Sequence, residues 1–309
     1  MFLQEDIKLL SDCTVCPRNC NADRFAGGAG WCRIDAGPNV ASVCIHRGEE
    51  PVISGNDGIC NVFFYGCNLR CVFCQNHEIS QPAVNFKKAG QTFEEVIDTV
   101  AAILNQGINS LGFVSPSHMI VQMTTIIRLI HDRGFKPVIV YNSNGFDKPE
   151  ILRSLENIVD VYLPDLKYVT PALSSSLSGA AAYPETALKA LKEMYFQKGS
   201  SLRLDDNGKA ENGMLIRHLV LPGQAEESKN VLRKIAEELS TGVHISLMSQ
   251  YYPAWKAVHM PPFDRSLYTA EYNEVVNEMH ALGFRNGYVQ DIESNITYRP
   301  DFGKDHPFE

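Results

Sequence analysis

The pattern of apolar and polar positions changes near residue 58. From Ile59 onward, short continuous apolar runs alternate with longer stretches whose apolar positions recur at helical spacing. Residues 59–66 (ICNVFFYG), 110–116 (SLGFVSP), 137–145 (PVIVYNSNG), 159–167 (VDVYLPDLK), 215–223 (LIRHLVLPG) and 244–250 (HISLMSQ) read as strands. Their apolar runs are unbroken, as in strands buried on both faces. Residues 92–107, 118–134, 148–157, roughly 184–197, 226–240 and 269–283 read as helices. Thr92 and Glu95 form a capping box for the first, and Gly107 ends it. Repeated strand–helix alternation predicts an α/β fold with a parallel sheet and helices outside it. Six units rather than eight predict an open (β/α)6 partial TIM barrel over residues 59–309. Residues 1–58 carry five of the nine cysteines, many glycines and little periodicity. They are expected to form a small Cys-rich appendage stapled by metal, since so short a segment has too little core of its own.

Composition narrows the function classes. Lys and Arg total 28 against 36 Asp and Glu, a formal net charge of −8, which argues against broad nucleic-acid binding. No apolar run reaches the length of a membrane span. The first residues, MFLQEDIKLLSDC, are acidic where a secretion signal is basic. A cytoplasmic location is therefore expected. In that reducing compartment, tightly spaced cysteines mean metal or redox chemistry rather than disulfides.

In a parallel α/β sheet the site lies beyond the C-terminal ends of the strands. Polar residues collect at each predicted strand end: GCNLRCVFCQN after the first, SPSH after the second, NSNG after the third, PDLK at the fourth, Arg217 and His218 with a following PG at the fifth, and SQYY at the sixth. Any one of these could be an ordinary turn. Together, beside three cysteines, they predict a common site.

Cys67-x3-Cys71-x2-Cys74 fits three corners of a [4Fe–4S] cube and leaves one iron without a protein ligand. Such an open position is what a catalytic metal centre needs. Two other arrangements compete: zinc completed by His77, and a closed ferredoxin-type cluster completed by Cys60.

With Phe73 at the aromatic position, CxxxCxφC resembles the hallmark of the radical S-adenosylmethionine (SAM) enzymes. YNSNGF, PDLK and RHLVLPG look most similar to segments of glycyl-radical-enzyme activases such as pyruvate formate-lyase activating enzyme, and CTVCPRNC and FVSPSH to its PflX-like branch. The resemblance spans most of residues 59–250. It implies an oxidoreductase in which Cys67, Cys71 and Cys74 hold a [4Fe–4S] cluster, SAM chelates the open iron, and reductive cleavage gives a 5′-deoxyadenosyl radical that abstracts a hydrogen atom. It further implies Phe73 near the adenine, and Ser115 and Ser117 at the turn that receives the methionine amino group, although the family's glutamate is missing there. Asn142 and Ser143 match an Asp-Thr pair that shares a monovalent cation with the position of Asp165; Asn for Asp removes a charge. Asn144, Lys167 and Arg217 would face ribose, carboxylate or substrate, and Arg217 suits a carboxylate through paired hydrogen bonds. Lys167 could equally be a salt bridge at the barrel mouth. The implied partners are an electron donor of flavodoxin or ferredoxin type and a glycyl radical enzyme. A peptide or a small molecule is the alternative substrate.

Cys13-x2-Cys16-x3-Cys20, with Cys32 after a glycine-rich gap, supplies four thiolates, enough for zinc or for a second iron–sulfur cluster. Cys60 reads as a buried small hydrophobe. The mouth's aromatic lining could include Tyr141, Tyr168, Tyr251, Tyr252 and Trp255, or these could be packing. A reading of another class stays open: an iron–sulfur electron carrier or metal-binding module that cannot cleave SAM.

Overall fold

The computed structural model describes residues 2–27, 30–81, 91–296, 299–304 and 306–308. In chain order it begins with α1 (Gln4–Ser11), β1 (Val40–His46), α2 (Pro51–Ser54), β2 (Ile59–Phe64), α3 (His77–Ser80) and α4 (Phe93–Leu104). Then come β3 (Ser110–Val114), α5 (Ile120–Asp132), β4 (Val138–Ser143), α6 (Pro149–Ser154), β5 (Val161–Pro164), α7 (Pro171–Ser178) and α8 (Tyr183–Lys198). The chain continues through β6 (Arg203–Leu204), β7 (Ala210–Leu219), α9 (Ala225–Glu238), β8 (His244–Met248), α10 (Thr269–Ala281) and β9 (Gly287–Val289).

The strands form one nine-stranded sheet in the order β1-β2-β3-β4-β5-β7-β8-β9, with β6 paired to β7. From β2 through β9 neighbours along this order run parallel, while β1 and β6 are antiparallel to their partners. This is the expected mostly parallel α/β sheet of a partial TIM barrel. It carries more strands than the six units predicted. β1 adds an antiparallel edge, β6 a two-residue hairpin arm, and β9 a further parallel strand beyond β8. Because β1 lies in this sheet, the predicted boundary at residue 58 falls between two paired strands.

Side chains alternate between the two faces of a strand, and here that parity assigns roles. One parity (Cys60, Val62, Phe64, Leu111, Phe113, Ile139, Tyr141, Tyr162, Ile216, Ile245 and Leu247) packs under the helices in the main core. The other parity points into the concave side of the sheet. At the strand starts it is apolar: Ile59, Val140, Val161 and Leu215 cluster there with Val52 and Ile53 of α2. Toward the strand ends the same parity becomes Asn61, Asn142, Asp165 and Arg217. The concave side is therefore filled below and polar above. Gly112 makes this possible between β2 and β3, since a Cβ there would meet Asn61 Oδ1 at 2.1 Å. No helix among the described residues is long and apolar enough to cross a membrane.

Candidate functional site

A cavity of about 200 Å³ opens at the C-terminal ends of the strands. Cys67, Cys71 and Cys74 line it together with Phe73, Ser115, Asn142, Asn144, Asp165, Lys167 and Arg217. Residues scattered over 150 positions of sequence thus meet at one place, as the strand-end reasoning requires. Neither Cys60 nor His77 lines the cavity; Cys60 lies in β2, fully buried under the helices. Neither of the two residues expected to complete a four-ligand site therefore faces this cavity.

Ser117 and Ser143, predicted beside SAM, do not line the cavity. Ser143 has the opposite parity to Asn142 and turns away from the concave face. Its hydroxyl donates to the buried Asp147 carboxylate, which also accepts from Tyr141 Oη at 2.8 Å. Ser117 Oγ lies 3.5 Å from Ser143 Oγ in the same buried group. These two serines support the turn rather than present themselves to a ligand. Tyr141, Tyr168 and Tyr251 are packed in the core, and neither Tyr252 nor Trp255 lines the cavity either.

The three thiols are held by donors from several elements. The Leu69 N–H donates to Cys67 Sγ at 3.3 Å, and so does the Asn144 side-chain amide at 3.4 Å. The Ser178 hydroxyl, at the end of α7, lies 3.1 Å from Cys71 Sγ, and the Ser80 hydroxyl, at the end of α3, 3.2 Å from Cys74 Sγ. Burial pushes the Cys67 thiol up to about 12 and Cys71 to about 11, against the pull of the Lys167 ammonium. Thiolates here need a positive charge among them. Donors already aimed at the sulfurs, with a cavity on their open side, fit an iron–sulfur cluster.

The charged residues are paired. Burial opposes the charge on Lys167, but Asp165, whose Oδ2 lies 2.5 Å from Nζ, holds its pKa up. The Lys167 ammonium thus lies beside Asp165, the residue that the resemblance placed at a cation. Arg217 Nη1 donates to Glu49 Oε2 at 3.0 Å, and its Nε lies 3.3 Å from Glu50 Oε1. Both acids of the turn between β1 and α2 therefore engage the Arg217 guanidinium.

Glu49 was not foreseen. Its Oε1 accepts from Asn61 Nδ2 at 3.1 Å and Asn142 Nδ2 at 3.2 Å, so one carboxylate joins β2, β4 and β7. It stands in the turn between β1 and α2, outside the strand-end loops. The adjacent acids of HRGEEP were its only trace in the sequence. Gln75 and Gln250 also line the cavity, and His46, Pro300 and Phe308 close part of its rim. The Phe308 ring centroid sits 4.0 Å from that of His46.

Comparison with known proteins now bears on this geometry. The family model described as the radical SAM superfamily matches residues 61–235, more than half of the chain. The protein belongs to the radical SAM superfamily. Among curated proteins, the uncharacterized protein MJ0674 of Methanocaldococcus jannaschii is 27% identical over 266 residues, covering 84% of this chain and 71% of the relative. The uncharacterized protein MJ0808 of the same organism is 22% identical over 311 residues, covering 94% and 85%. Among solved structures, native anSMEcpe with bound AdoMet superposes with a TM-score of 0.47 at 13% identity, over 75% of this chain and 58% of that one. Methylornithine synthase (PylB) superposes with a TM-score of 0.48 at 13% identity, over 71% and 62%. This chain spans less than two thirds of either solved chain.

Membership implies SAM and a [4Fe–4S] cluster, and the residues present fit both: three donor-supported thiols on one wall, with amide, ammonium and guanidinium groups on the others.

Proposed function

We propose that this protein reductively cleaves SAM and directs the resulting radical at a C–H bond of a polypeptide. The observation that carries the reading is the meeting of Cys67, Cys71 and Cys74 in one cavity with polar groups from four other strand ends. When bound, the cluster and SAM supply methionine and a 5′-deoxyadenosyl radical that takes a hydrogen atom from the substrate. Asn144 orients Cys67 by donating to its sulfur, while its amide also donates to Asn68 Oδ1 at 2.7 Å. Lys167 places positive charge beside Cys71 and Cys74. Arg217, fixed by Glu49 and Glu50, places its guanidinium charge on the cavity wall for the SAM carboxylate. Phe73 supplies an apolar wall for the adenine, and Ser115, held at φ +50°, shapes the turn after β3.

A polypeptide substrate is supported by the rim, where residues from the C-terminal part of the chain already sit against the barrel. The Phe302 N–H donates to Glu78 Oε2 at 3.0 Å, and the Arg299 guanidinium lies 4.7 Å from the Tyr252 ring centroid. A backbone glycine of a glycyl radical enzyme is the first substrate to test, with a peptide side chain or a small molecule as the other outcomes. The proposed partners are that polypeptide and a low-potential flavodoxin- or ferredoxin-type donor, in the cytoplasm, without nucleic acid or membrane.

The test is 5′-deoxyadenosine formation by the anaerobically reconstituted, reduced protein. Wild type should form it, and the variant with Cys67, Cys71 and Cys74 all changed to Ala should not. Formation by that variant would overturn the reading.

A further inference from the structure

The N-terminal cysteines converge as well. Cys13, Cys16, Cys20 and Cys32 line a small enclosed cavity with Arg18, Arg24, Trp31 and Asn68. Each sulfur receives a nitrogen donor. The Trp31 N–H donates to Cys20 at 3.2 Å and Arg24 Nη2 to Cys32 at 3.1 Å. The backbone N–H groups of Val15 and Arg18 serve Cys13 and Cys16. This repeats the construction of the barrel site, where Leu69 and Asn76 stand in the same two-residue relation to Cys67 and Cys74. Arg24 is 2% exposed, and among the described residues it pairs with no carboxylate. A buried guanidinium needs negative charge beside it, and the thiolates provide it.

One observation favours an iron–sulfur cluster over zinc. Among the described residues Arg18 Nη2 and Trp31 Nε1 are buried donors without a hydrogen-bond partner, and both residues line the thiol cavity. Each cysteine sulfur already has a donor; the inorganic sulfides of a cluster would add acceptors for these two, whereas a single zinc ion adds none beyond those sulfurs.

The two sites are wired together. Arg18 Nε donates to the Asn68 carbonyl at 2.8 Å, and Asn68 follows Cys67 in the chain. On a second route, Arg24 Nη2 donates to the His118 carbonyl at 2.8 Å, and His118 Nε2 lies 2.9 Å from the Tyr65 carbonyl, two residues before Cys67.

We infer that Cys13, Cys16, Cys20 and Cys32 hold a second [4Fe–4S] cluster that relays single electrons to the cluster at Cys67, Cys71 and Cys74. A low-potential one-electron donor protein reduces the N-terminal cluster. That cluster is reoxidised as the barrel cluster gains the electron, with no bond made or broken and no proton moved. The relay rests on the proposed SAM chemistry of the barrel site; the presence of the second cluster does not.

Metal analysis and low-temperature EPR test it on the full chain. Reconstituted wild type should hold about eight irons and eight sulfides. The variant with Cys67, Cys71 and Cys74 changed to Ala leaves the N-terminal segment intact, and should keep about four irons, little zinc and one reduced-cluster signal. In reduced wild type the two spins should couple, so that its spectrum differs from the sum of the single-cluster spectra. The variant with Cys13, Cys16, Cys20 and Cys32 changed to Ala should cleave SAM at near wild-type rate with dithionite, and at least about tenfold more slowly with a flavodoxin-type donor. Stoichiometric zinc, or no metal, in the barrel-site variant overturns the second cluster, even where the four-cysteine variant fails to fold. A wild-type spectrum equal to the sum, or equal rates with both reductants, overturns the relay. Two coupled clusters without SAM cleavage would instead sink the proposed function and leave the second cluster standing.

Discussion

Glu49 joins three strands through one carboxylate, and its side chain and that of Arg217 are only 8% and 13% exposed. Removing one partner of a buried pair strands the other charge and costs about 3–5 kcal/mol. Arg217→Ala, which leaves Glu49 and Glu50 without their cation, should destabilise the fold on that scale; Glu49→Ala should cost less, because Glu50 still pairs with Arg217. The double variant should be less destabilised than the sum of the two by more than about 1 kcal/mol, because the two groups are in direct contact. Urea unfolding of the four proteins closes the cycle, and strict additivity would show that the pair is not coupled. The exposed pair Lys189–Glu185 is the control, and its removal should leave no measurable trace.

At the level of elements, the turn after β4 governs the site. Gly145 adopts φ +82°, and a Cβ there would meet the Asp165 carbonyl at 2.2 Å. The ends of β4 and β5 touch backbone to backbone, which fixes Asn144 and Asp165 relative to each other. Gly145→Ala should therefore cost more than about 2 kcal/mol and weaken SAM binding, read by thermal unfolding and equilibrium dialysis. Unchanged binding would mean that the two strand ends move independently. Thr92→Ala, which removes the capping box of α4, should lower the thermal midpoint slightly and leave SAM binding untouched. The capping box and the six apolar strands were legible in the sequence because each is a local pattern, a cap spacing or an unbroken run over β2, β3, β4, β5, β7 and β8. β1 was not, since VASVCIH is only half-buried at the edge of the sheet. β6 and β9, at two and three residues, are too short to carry any period. In the site, strand-end logic located Asn144, Asp165, Lys167 and Arg217. Ser117 and Ser143, whose facing depends on parity and turn geometry, do not line the cavity, and strand-end logic did not reach Glu49, which comes in from a different part of the chain.

Over the whole molecule, two buried histidines tie stability to pH. Burial holds His118 and His218 down to about 4, each with a ring nitrogen bonded to a backbone carbonyl, of Tyr65 and Leu166 respectively. In the unfolded chain they titrate near the usual histidine value, about 6.5. Between those values the unfolded state binds more protons, so stability is full above about pH 6.5 and falls as pH drops toward 4. At pH 5.5 each histidine should have lost about 1.4 kcal/mol of its contribution at pH 7.5. His218→Gln should flatten the slope by one histidine's share in unfolding curves at the two pH values, and a slope identical to wild type would show that His218 is not responsible. The Glu49 junction has a different consequence for anyone re-aiming this scaffold at a new C–H bond. It separates the positions that give the cup its curvature from those that merely furnish its wall. Gln75 and Gln250 line the cavity without bonding to that carboxylate. Combinatorial libraries belong at those two glutamines, whereas randomising 49 or 217 would lose the vessel before its contents could be changed.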